Sequence, residues 1–397
     1  MNGGRGSIRQ SGFFTKCREI FMKILNVAMS LLALTVCAPG QASAASLLGS
    51  DLLNLSIFSN TYTSTGDAAK VYGNVLSGTY ATTGANSSVF GNLQSGDVGT
   101  TGANATVQGN FQSVLAGTIG ANAIVAGNFQ VGGVGTTGAY STVQGNFESG
   151  LAGTTGAYSN IVGNFDVGGV RALGGGSSVG GTSGATNQTA MSAMTGALQS
   201  SLTTAKSQLD AAKVNLNAMG SGTSLAATMT VNTTFDAGVY SAASFSTTAG
   251  TTLYLDGQNK ANQTWVFNIT DILATGASSH VELINAGANS QVLWNTGGYA
   301  SLGADSSFIG SVLATTYISV GANAVLSNLG GSACGGLFSS TSYVSIGAGA
   351  QVGSGGCSAF GGGPIAAVPE PESYALLLAG LGLMGAIIGR RRSKDGA

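Results

Sequence analysis

The chain has 397 residues, of which 65 are glycine and 4 are proline; 43% are hydrophobic and only 7% are charged. This composition is apolar enough to support a folded core, unlike that of a disordered tract. Residues 45–367 include five basic and eleven acidic side chains, so this part of the chain is mildly acidic. The charge pattern gives no footprint for nucleic acid and excludes that class of partner.

The N-terminal segment has the three parts of a Sec signal peptide. Arg18 and Lys23 precede an apolar stretch over residues 24–36, and Ala42-Ser43-Ala44 follows as a small-residue cleavage site. We therefore predict that residues 1–44 are a signal peptide, removed during export through the Sec machinery, and that residues 45–367 form the exported body.

A strict internal repeat follows. Six Gly-Asn pairs stand 18 residues apart, at 73–74, 91–92, 109–110, 127–128, 145–146 and 163–164. A fixed period of this length indicates one structural unit that is copied along an axis and buries its apolar face against the next copy. The repeat predicts a parallel β-solenoid (β-helix) of about 18 residues per coil, with regular coils over residues 55–169 and a fold dominated by β-structure.

Alignment of the repeats predicts four interior columns. One column contains Val71 and its equivalents up to Ile161, and a second contains Val75 and its equivalents up to Phe165. Two more columns, at 80–170 and at 85–157, also contain small apolar residues and are predicted to point inward. Four inward positions in 18 residues fit about three short strands per coil, with corners at the glycines.

Two neighbouring columns consist almost entirely of threonine, and because adjacent strand residues face opposite ways, one of them points to solvent. The pattern leaves open which one. The candidate surface residues are Thr82, Thr83, Thr100, Thr101, Thr118, Thr136, Thr137, Thr154 and Thr155. The asparagines of the Gly-Asn pairs have a structural explanation, because stacked Asn residues at corners bond their own backbone and tolerate left-handed conformations.

The segment 170–184 is rich in Gly and Ser and is interpreted as a linker. After it, apolar residues recur at intervals of three and four from Met191 to Met219, which predicts a helix over residues 188–219 with its apolar stripe on the solenoid flank. Thr186 or Asn187 would cap its start. Coil-like sequence returns over residues 224–353, so we expect one extended solenoid domain on both sides of the helix.

The C-terminal half carries a specific resemblance. The segments 238–240, 253–257, 265–269, 292–294 and 308–314, in this order and preceded by a long helix, resemble the microbial ice-binding protein family. The resemblance covers residues 187–353 and implies a discontinuous β-solenoid with a flanking helix that binds ice and inhibits its growth or recrystallisation. Stacked coils repeat at about 4.7–4.9 Å, close to an oxygen spacing in ice, so a rigid Thr row suits this function.

The last 30 residues resemble a second family. Pro369-Glu370-Pro371, an apolar run over residues 374–389 and the cluster Arg390-Arg391-Arg392 follow each other as in the PEP-CTERM sorting tails of Gram-negative bacteria. The resemblance implies recognition of residues 368–397 by an exosortase and release or attachment at the cell surface. The alternative interpretation is an ordinary membrane anchor, although 16 apolar residues span a bilayer only marginally.

Catalysis and metal binding find little support. Asp256, Asp271, Glu282 and Asp305 occupy unrelated coil positions, and His280 is the single histidine, so no catalytic carboxylate cluster, cofactor site or metal site is predicted. Cys334 and Cys357, with 22 residues between them, lie near the end of the body. In an oxidising compartment we expect them to form a disulfide.

One alternative function has the same fold and the same export route. The protein would then be a non-catalytic adhesin or matrix component that uses the solenoid as a spacer within exopolysaccharide. The regular N-terminal coils could enlarge a binding face or serve as its stalk. Carbohydrate binding favours exposed aromatic residues, for which Tyr140 and Tyr158, one coil apart, are the candidate pair.

Overall fold

The computed structural model describes residues 47–287, 290–326 and 335–353. In these ranges the chain forms a three-sided solenoid of 40 short strands, numbered β1 to β40 in chain order, with the helices α1 (Ser50–Leu53) and α2 (Gln188–Asn217). Every strand pairing is parallel, and successive coils contribute one strand to each of three sheets, called A, B and C. The predicted β-solenoid with one long helix is confirmed.

Sheet A has 14 strands: β1 Leu55–Ser59, β4 Asn74–Ser77, β7 Leu93–Ser95, β10 Phe111–Ser113, β13 Phe129–Val131, β16 Phe147–Ser149, β19 Phe165–Val167, β22 Ser183–Gly184, β23 Thr223–Ser224, β26 Gly238–Ala242, β29 Thr264–Ile269, β32 Gln291–Thr296, β35 Ser311–Ala314 and β38 Leu337–Ser339. Sheet B has 13 strands: β2 Thr63–Thr65, β5 Tyr80–Thr82, β8 Val98–Thr100, β11 Ala116–Ile119, β14 Val134–Thr137, β17 Ala152–Thr155, β20 Val170–Ala172, β24 Thr228–Met229, β27 Phe245–Thr247, β30 Leu273–Ala274, β33 Ala300–Leu302, β36 Ile318–Val320 and β39 Val344–Ile346. Sheet C also has 13 strands: β3 Lys70–Val71, β6 Ser88–Val89, β9 Thr106–Val107, β12 Ile124–Val125, β15 Thr142–Val143, β18 Asn160–Ile161, β21 Ser178–Val179, β25 Thr233–Asp236, β28 Thr252–Asp256, β31 His280–Ile284, β34 Ser307–Phe308, β37 Val325–Leu326 and β40 Gln351–Val352.

The order of the coils differs from their order in the chain. The first coil, β1–β3, lies inside the stack, between the second coil and the last one: Ile57 of β1 is opposite Val75 on one side and Leu337 on the other. The N-terminal coils extend from it in one direction as far as β22. After α2, the chain starts again at the other end with β23–β25 and returns to β38–β40.

The interior columns are only partly those predicted. The Val71 and Val75 columns are buried, and the phenylalanines that continue the latter, from Phe111 to Phe165, pack in tilted and edge-to-face arrangements with ring centroids 4.7–4.9 Å apart. The other two predictions are wrong. Tyr80 is 51% exposed because the column at 80–170 lies on the outer side of sheet B, and the column at 85–157 lies at corners, where its alanines are not buried.

The segment 170–184 is a further coil, which corrects its interpretation as a linker. Its strands β20, β21 and β22 pair with the preceding coil in the regular 18-residue register, as between Ile161 and Val179. Val170, Arg171 and Ala172 are nevertheless exposed. Glycine and serine replace the larger interior residues here because this coil is covered on one side only.

Helix α2 lies on the outer face of sheet A. Asn187 caps its start by accepting a hydrogen bond from the Ala190 amide at 3.1 Å. Leu198, Leu209 and Leu216 are buried in a second apolar cluster with outward-facing residues of sheet A, such as Leu293. The helix therefore covers sheet A, as the apolar stripe predicted, and leaves the outer sides of sheets B and C to solvent.

Among the described residues, no helix has both the length and the apolarity needed to cross a membrane. The predicted signal peptide, Cys334, Cys357 and the whole C-terminal tail, including its sorting motif, lie outside the described residues.

Candidate functional site

The outer side of sheet B carries one uninterrupted row of small, mostly hydroxyl-bearing side chains. It has one member in each coil, and neighbouring members face each other in the strand register. In spatial order the row is Thr228, Ser246, Ala274, Ser301, Ser319, Ser345, Ser64, Thr82, Thr100, Thr118, Thr136, Thr154 and Ala172. All are half-buried or exposed. At about 4.8 Å per coil this hydroxyl row is about 58 Å long.

The structure decides which threonine column faces solvent. Thr82, Thr100, Thr118, Thr136 and Thr154 belong to the hydroxyl row and are half-buried or exposed. The other candidates are buried and are corrected here, since an interior residue cannot contact an external surface: Thr83, Thr101, Thr137 and Thr155, with 2–8% exposure.

The buried threonines have a structural task at the corner of the coil. Thr83 Oγ1 accepts a hydrogen bond from the Gly102 amide at 3.2 Å, and Thr101 Oγ1 accepts one from the Gly120 amide at 3.0 Å. These bonds satisfy backbone donors where the chain turns between sheets B and C, away from the strand ladders. A hydroxyl inside the solenoid is therefore explained without any external ligand.

A signal in the sequence could have identified the outward row. Each side of the coil occupies six residues, an even number, so the alternation of inward and outward positions continues across the corners. Val71, Val75 and Thr83 are all odd-numbered and all buried, whereas Thr82 is even-numbered and exposed. The serines of the C-terminal coils, such as Ser319, were missed because coils of irregular length hide this alternation.

A second outward row runs beside the hydroxyl row, two residues earlier on each strand. In the N-terminal coils it is small and apolar: Val98, Ala116, Val134, Ala152 and Val170. Near the middle of the stack it is aromatic, because Tyr299, Tyr317, Tyr343 and Tyr62 stack with centroids 4.7–5.1 Å apart, and Tyr80 follows in the next coil. From β8 to β17 the outer side of sheet B is thus lined by methyl groups and hydroxyls.

These strands of sheet B lie directly over the column of buried phenylalanines from Phe111 to Phe165. A Cβ atom at Gly99 would stand 2.5 Å from Phe111 Cζ, and one at Gly135 would stand 2.8 Å from Phe147 Cζ. Only glycine allows the strand to approach the rings this closely. This packing holds each strand at the same distance from the core. Neighbouring hydroxyls of the row therefore come within hydrogen-bond distance, as Thr118 Oγ1 and Thr136 Oγ1 do at 3.1 Å. The result is a flat, rigid and uncharged surface.

The asparagines of the Gly-Asn pairs reinforce the stack in a way that differs from the prediction. Asn74 Oδ1 accepts a hydrogen bond from the Asn92 amide at 2.8 Å, and the same bond recurs in each coil up to the Thr182 amide. These side chains bond the following coil and not their own backbone. Left-handed backbone occurs at a different set of positions, the B–C corner, for instance at Asn86 and Asn104.

Among the ionisable residues of the C-terminal coils, Asp236 and Asp256 lie opposite each other on adjacent strands of sheet C. Asp256 Oδ1 accepts hydrogen bonds from the Gln258 amide and from Asn285 Nδ2, which lower the pKa of its carboxyl. His280 Nδ1 lies 2.8 Å from Ser307 Oγ on the outer side of sheet C. Within the described residues, no three His, Cys, Asp or Glu side chains are grouped so that they could hold a metal ion.

Among the described residues, a single charged side chain is buried, where α2 meets sheet A. Lys213 Nζ donates to Asn295 Oδ1 at 2.9 Å and to the carbonyls of Thr296 and Leu313 at 2.7 and 3.0 Å. Burial lowers the pKa of this amine from 10.5 to about 8, and the charge of Asp210 opposes the shift. The three acceptors belong to the helix interface, so Lys213 serves to fix α2 on the sheet.

The fold and its surface define a class of protein: a discontinuous parallel β-solenoid with one face covered by a helix and another that presents a regular, uncharged hydroxyl row. Within this class, the family described as ice-binding-like matches residues 101–350, and the chain belongs to this family. Residues 367–392 match the PEP-CTERM protein-sorting motif, as the C-terminal resemblance predicted. No curated protein matches this chain significantly.

Several solved structures are similar to the chain at low identity. An ice-binding protein from the Antarctic ascomycete Antarctomyces psychrotrophicus is 16% identical, with 76% of this chain and 95% of that one covered and a TM-score of 0.40. A glycosylated ice-binding protein from an Arctic yeast is 12% identical, with 77% and 93% covered and a TM-score of 0.42. The DUF3494 domain of Shewanella frigidimarina ice-binding protein 1 is 16% identical, with 76% and 95% covered and a TM-score of 0.41.

Proposed function

We propose that this protein binds ice through the hydroxyl row of sheet B and the apolar row beside it. The observation that carries the proposal is the register of the row, since each of the 13 strands of sheet B contributes one member directly opposite the next. The membership of residues 101–350 in the ice-binding-like family supports the same function.

The mechanism is adsorption. A parallel coil spacing of about 4.7–4.9 Å holds hydroxyls and methyls near the spacing of oxygen atoms in an ice surface. Each contact is weak, but the row loses little conformational entropy on binding because Asn ladders, buried Thr residues and the column of buried phenylalanines already fix the strands. No member of the row, whose two spatial ends are Ala172 and Thr228, is charged, so binding to ice requires no desolvation of ions on the row.

We further propose that the protein acts without catalysis, outside the cytoplasm. The PEP-CTERM motif supports secretion and sorting by an exosortase, with the cell surface of a Gram-negative bacterium as the destination. A protein that adsorbs to ice needs no general base, nucleophile or metal. His280 and Asp256 lie on sheet C, whereas the hydroxyl row lies on sheet B, so neither residue is part of the proposed ice-binding surface.

The test is ice recrystallisation inhibition together with ice-crystal shape, measured on the purified protein. The double variant Thr118→Lys/Thr136→Lys places two ammonium groups on the row and should lower the activity at least tenfold. Thr142→Lys is the control, with one ammonium group outside the row, because Thr142 faces outward on sheet C in the same coil as Thr136. The melting temperatures of both variants should remain near that of the wild type.

A folded wild-type protein that leaves ice growth and crystal shape unchanged would contradict the proposal. The spacer function in an extracellular matrix would then be the better explanation. Equal loss of activity in Thr142→Lys would assign the effect to added charge and not to the row.

A further inference from the structure

A pair of exposed tyrosines lies at the corner between sheets B and C, outside the hydroxyl row. Tyr140 follows β14 and Tyr158 follows β17, in adjacent coils. Their side chains are 60% and 59% exposed, and their rings stack with centroids 5.2 Å apart and planes 10° apart. The pair therefore presents a fixed aromatic surface to solvent, with an apolar ring and a polar hydroxyl on each residue.

The backbone at both tyrosines is unfavourable for this residue type. Tyr140 has φ 58° and Tyr158 has φ 56°, in the left-handed region that bulky residues rarely adopt. The two preceding coils have Asn104 and Asn122 at the equivalent positions, with φ 56° and 55°. Asparagine tolerates this conformation, so the fold itself does not require the aromatic rings.

The rings form a platform with one uncovered face. A Cβ atom at Gly176 would stand 2.5 Å from Cδ1 and Cε1 of Tyr158, so this ring lies over the backbone of the next coil and is held in place. Tyr140 stacks on the opposite face of Tyr158. The other face of Tyr140 is turned toward the coil of Asn122, which has a shorter side chain, and Tyr140 is 60% exposed.

The surroundings are neutral and rich in hydrogen-bonding groups. Thr142 and Asn160 stand two residues after the tyrosines on the outer side of sheet C. Glu148, on sheet A, is the only charged residue between positions 98 and 165. A ligand for this corner therefore has a flat apolar face, many hydroxyls and no charge.

We propose that Tyr140 and Tyr158 form a binding site for a neutral polysaccharide, separate from the ice-binding row. The C–H groups on one face of a sugar ring pack against the electron-rich face of Tyr140. The sugar hydroxyls exchange hydrogen bonds with the neighbouring amide and hydroxyl side chains. The site would attach the protein to a glycan while sheet B remains available.

The experiment is affinity electrophoresis of the full protein in gels that contain hydroxyethylcellulose, laminarin or dextran, with anionic alginate as the comparison. The wild type should be retarded by at least one neutral glucan and less by alginate. The double variant Tyr140→Asn/Tyr158→Asn, which restores the residue of the preceding coils, should bind roughly tenfold more weakly. Its melting temperature should equal or exceed that of the wild type, and Tyr140→Phe/Tyr158→Phe should keep most of the binding.

Three results would overturn the proposal. The first is a wild type that no neutral glucan retards, or that alginate retards equally. The second is an Asn variant that melts earlier and is retarded unchanged, which would make the pair structural. The third is an Asn variant that loses ice activity and shows no change in glucan binding, which would assign the pair to the ice-binding face. Because glycan binding and ice activity are measured separately, failure of one leaves the other standing.

Discussion

Ser64 lies directly opposite Ser345, and Ser64 Oγ donates a hydrogen bond to Ser345 Oγ at 3.4 Å although the two residues are 281 positions apart. The contact joins the first coil of the chain to the last. Through it the serines of the C-terminal coils and the threonines of the N-terminal coils become one continuous row. The regular N-terminal coils thus extend the outward row of the C-terminal half.

If the row acts as a unit, substitution in its C-terminal half should also weaken ice binding. Ser319→Lys is expected to lower recrystallisation inhibition several-fold, because the ammonium group holds a flat ice surface away from the neighbouring coils. Val325→Lys is the control, since Val325 faces outward on sheet C in the same coil. Unchanged activity in Ser319→Lys would restrict the ice contact to the N-terminal coils.

The glycines of sheet B should resist substitution. A Cβ atom at Gly117 would stand 2.6 Å from Val131 Cγ2 and 2.9 Å from Phe129 Cζ. We therefore expect Gly117→Ala to lower the free energy of unfolding by about 1–3 kcal/mol through overpacking. Ice activity should fall as well, because the strand that carries Thr118 is displaced outward.

A second glycine provides the opposite control in the same denaturation experiment. Gly196 lies exposed in α2, and a Cβ atom at this position would meet nothing within 4 Å beyond the backbone of its own helical turns. Gly196→Ala should raise the free energy of unfolding by about 0.5–1 kcal/mol, since alanine loses less backbone entropy in a helix. Destabilisation by both changes would contradict this account.

A buried hydroxyl offers a stabilising substitution. Ser95 Oγ is fully buried and has no hydrogen-bond partner among the described residues, while Val131 and Val167 occupy the equivalent position two and four coils later. Ser95→Val should therefore raise the free energy of unfolding by about 1 kcal/mol.

The matched variant is Ser113→Val, one coil further along. Ser113 Oγ donates to the Ala116 carbonyl at 2.8 Å, so this change removes a buried hydrogen bond and should be neutral or destabilising. Denaturant unfolding of the two variants checks the pair. Equal effects of both changes would show that the missing partner of Ser95 has no energetic consequence.

Lys213 should make stability depend on pH. Its pKa falls from 10.5 in the unfolded chain to about 8 in the folded protein because the ammonium group is buried. Below pH 8 both states are protonated and the cost of burying the charge is present in full. Between pH 8 and 10.5 the unfolded state binds more protons, so the free energy of unfolding rises with pH.

The measurement is denaturant unfolding of the wild type and of Lys213→Met at pH 7.5 and 9.5. The wild type should gain about 2 kcal/mol relative to the variant over this range. The range ends below pH 10 because raised pKa values of the Tyr62, Tyr240 and Tyr317 hydroxyls oppose the trend at higher pH. Parallel stability curves for the two proteins would contradict the prediction.

Much of the fold could be predicted because it depends on local periodicity. The spacing of Gly73-Asn74 and its repeats gives the coil length, and the Val71 and Val75 columns identify interior positions, since every coil meets the same environment. The stripe from Met191 to Met219 predicts α2 and its apolar face for the same reason. Apolar character alone gives the wrong side for the columns at 80–170 and 85–157, which were predicted to point inward. Only the alternation of inward and outward residues, followed through the corners of the coil, distinguishes the inner side of a strand from the outer one.

The sequence by itself determined that this chain forms 18-residue coils, one long helix and a threonine ladder, and that its C-terminal end carries a sorting motif. The tertiary structure alone decided that the first coil stacks on the last, that Ser64 and Ser345 meet, and that Thr82 and not Thr83 faces water. Coil stacking of this kind depends on contacts between residues hundreds of positions apart, which no short-range period encodes. The direction of a side chain depends on which side of the strand the core occupies, and that is fixed only when the coils close around their shared interior.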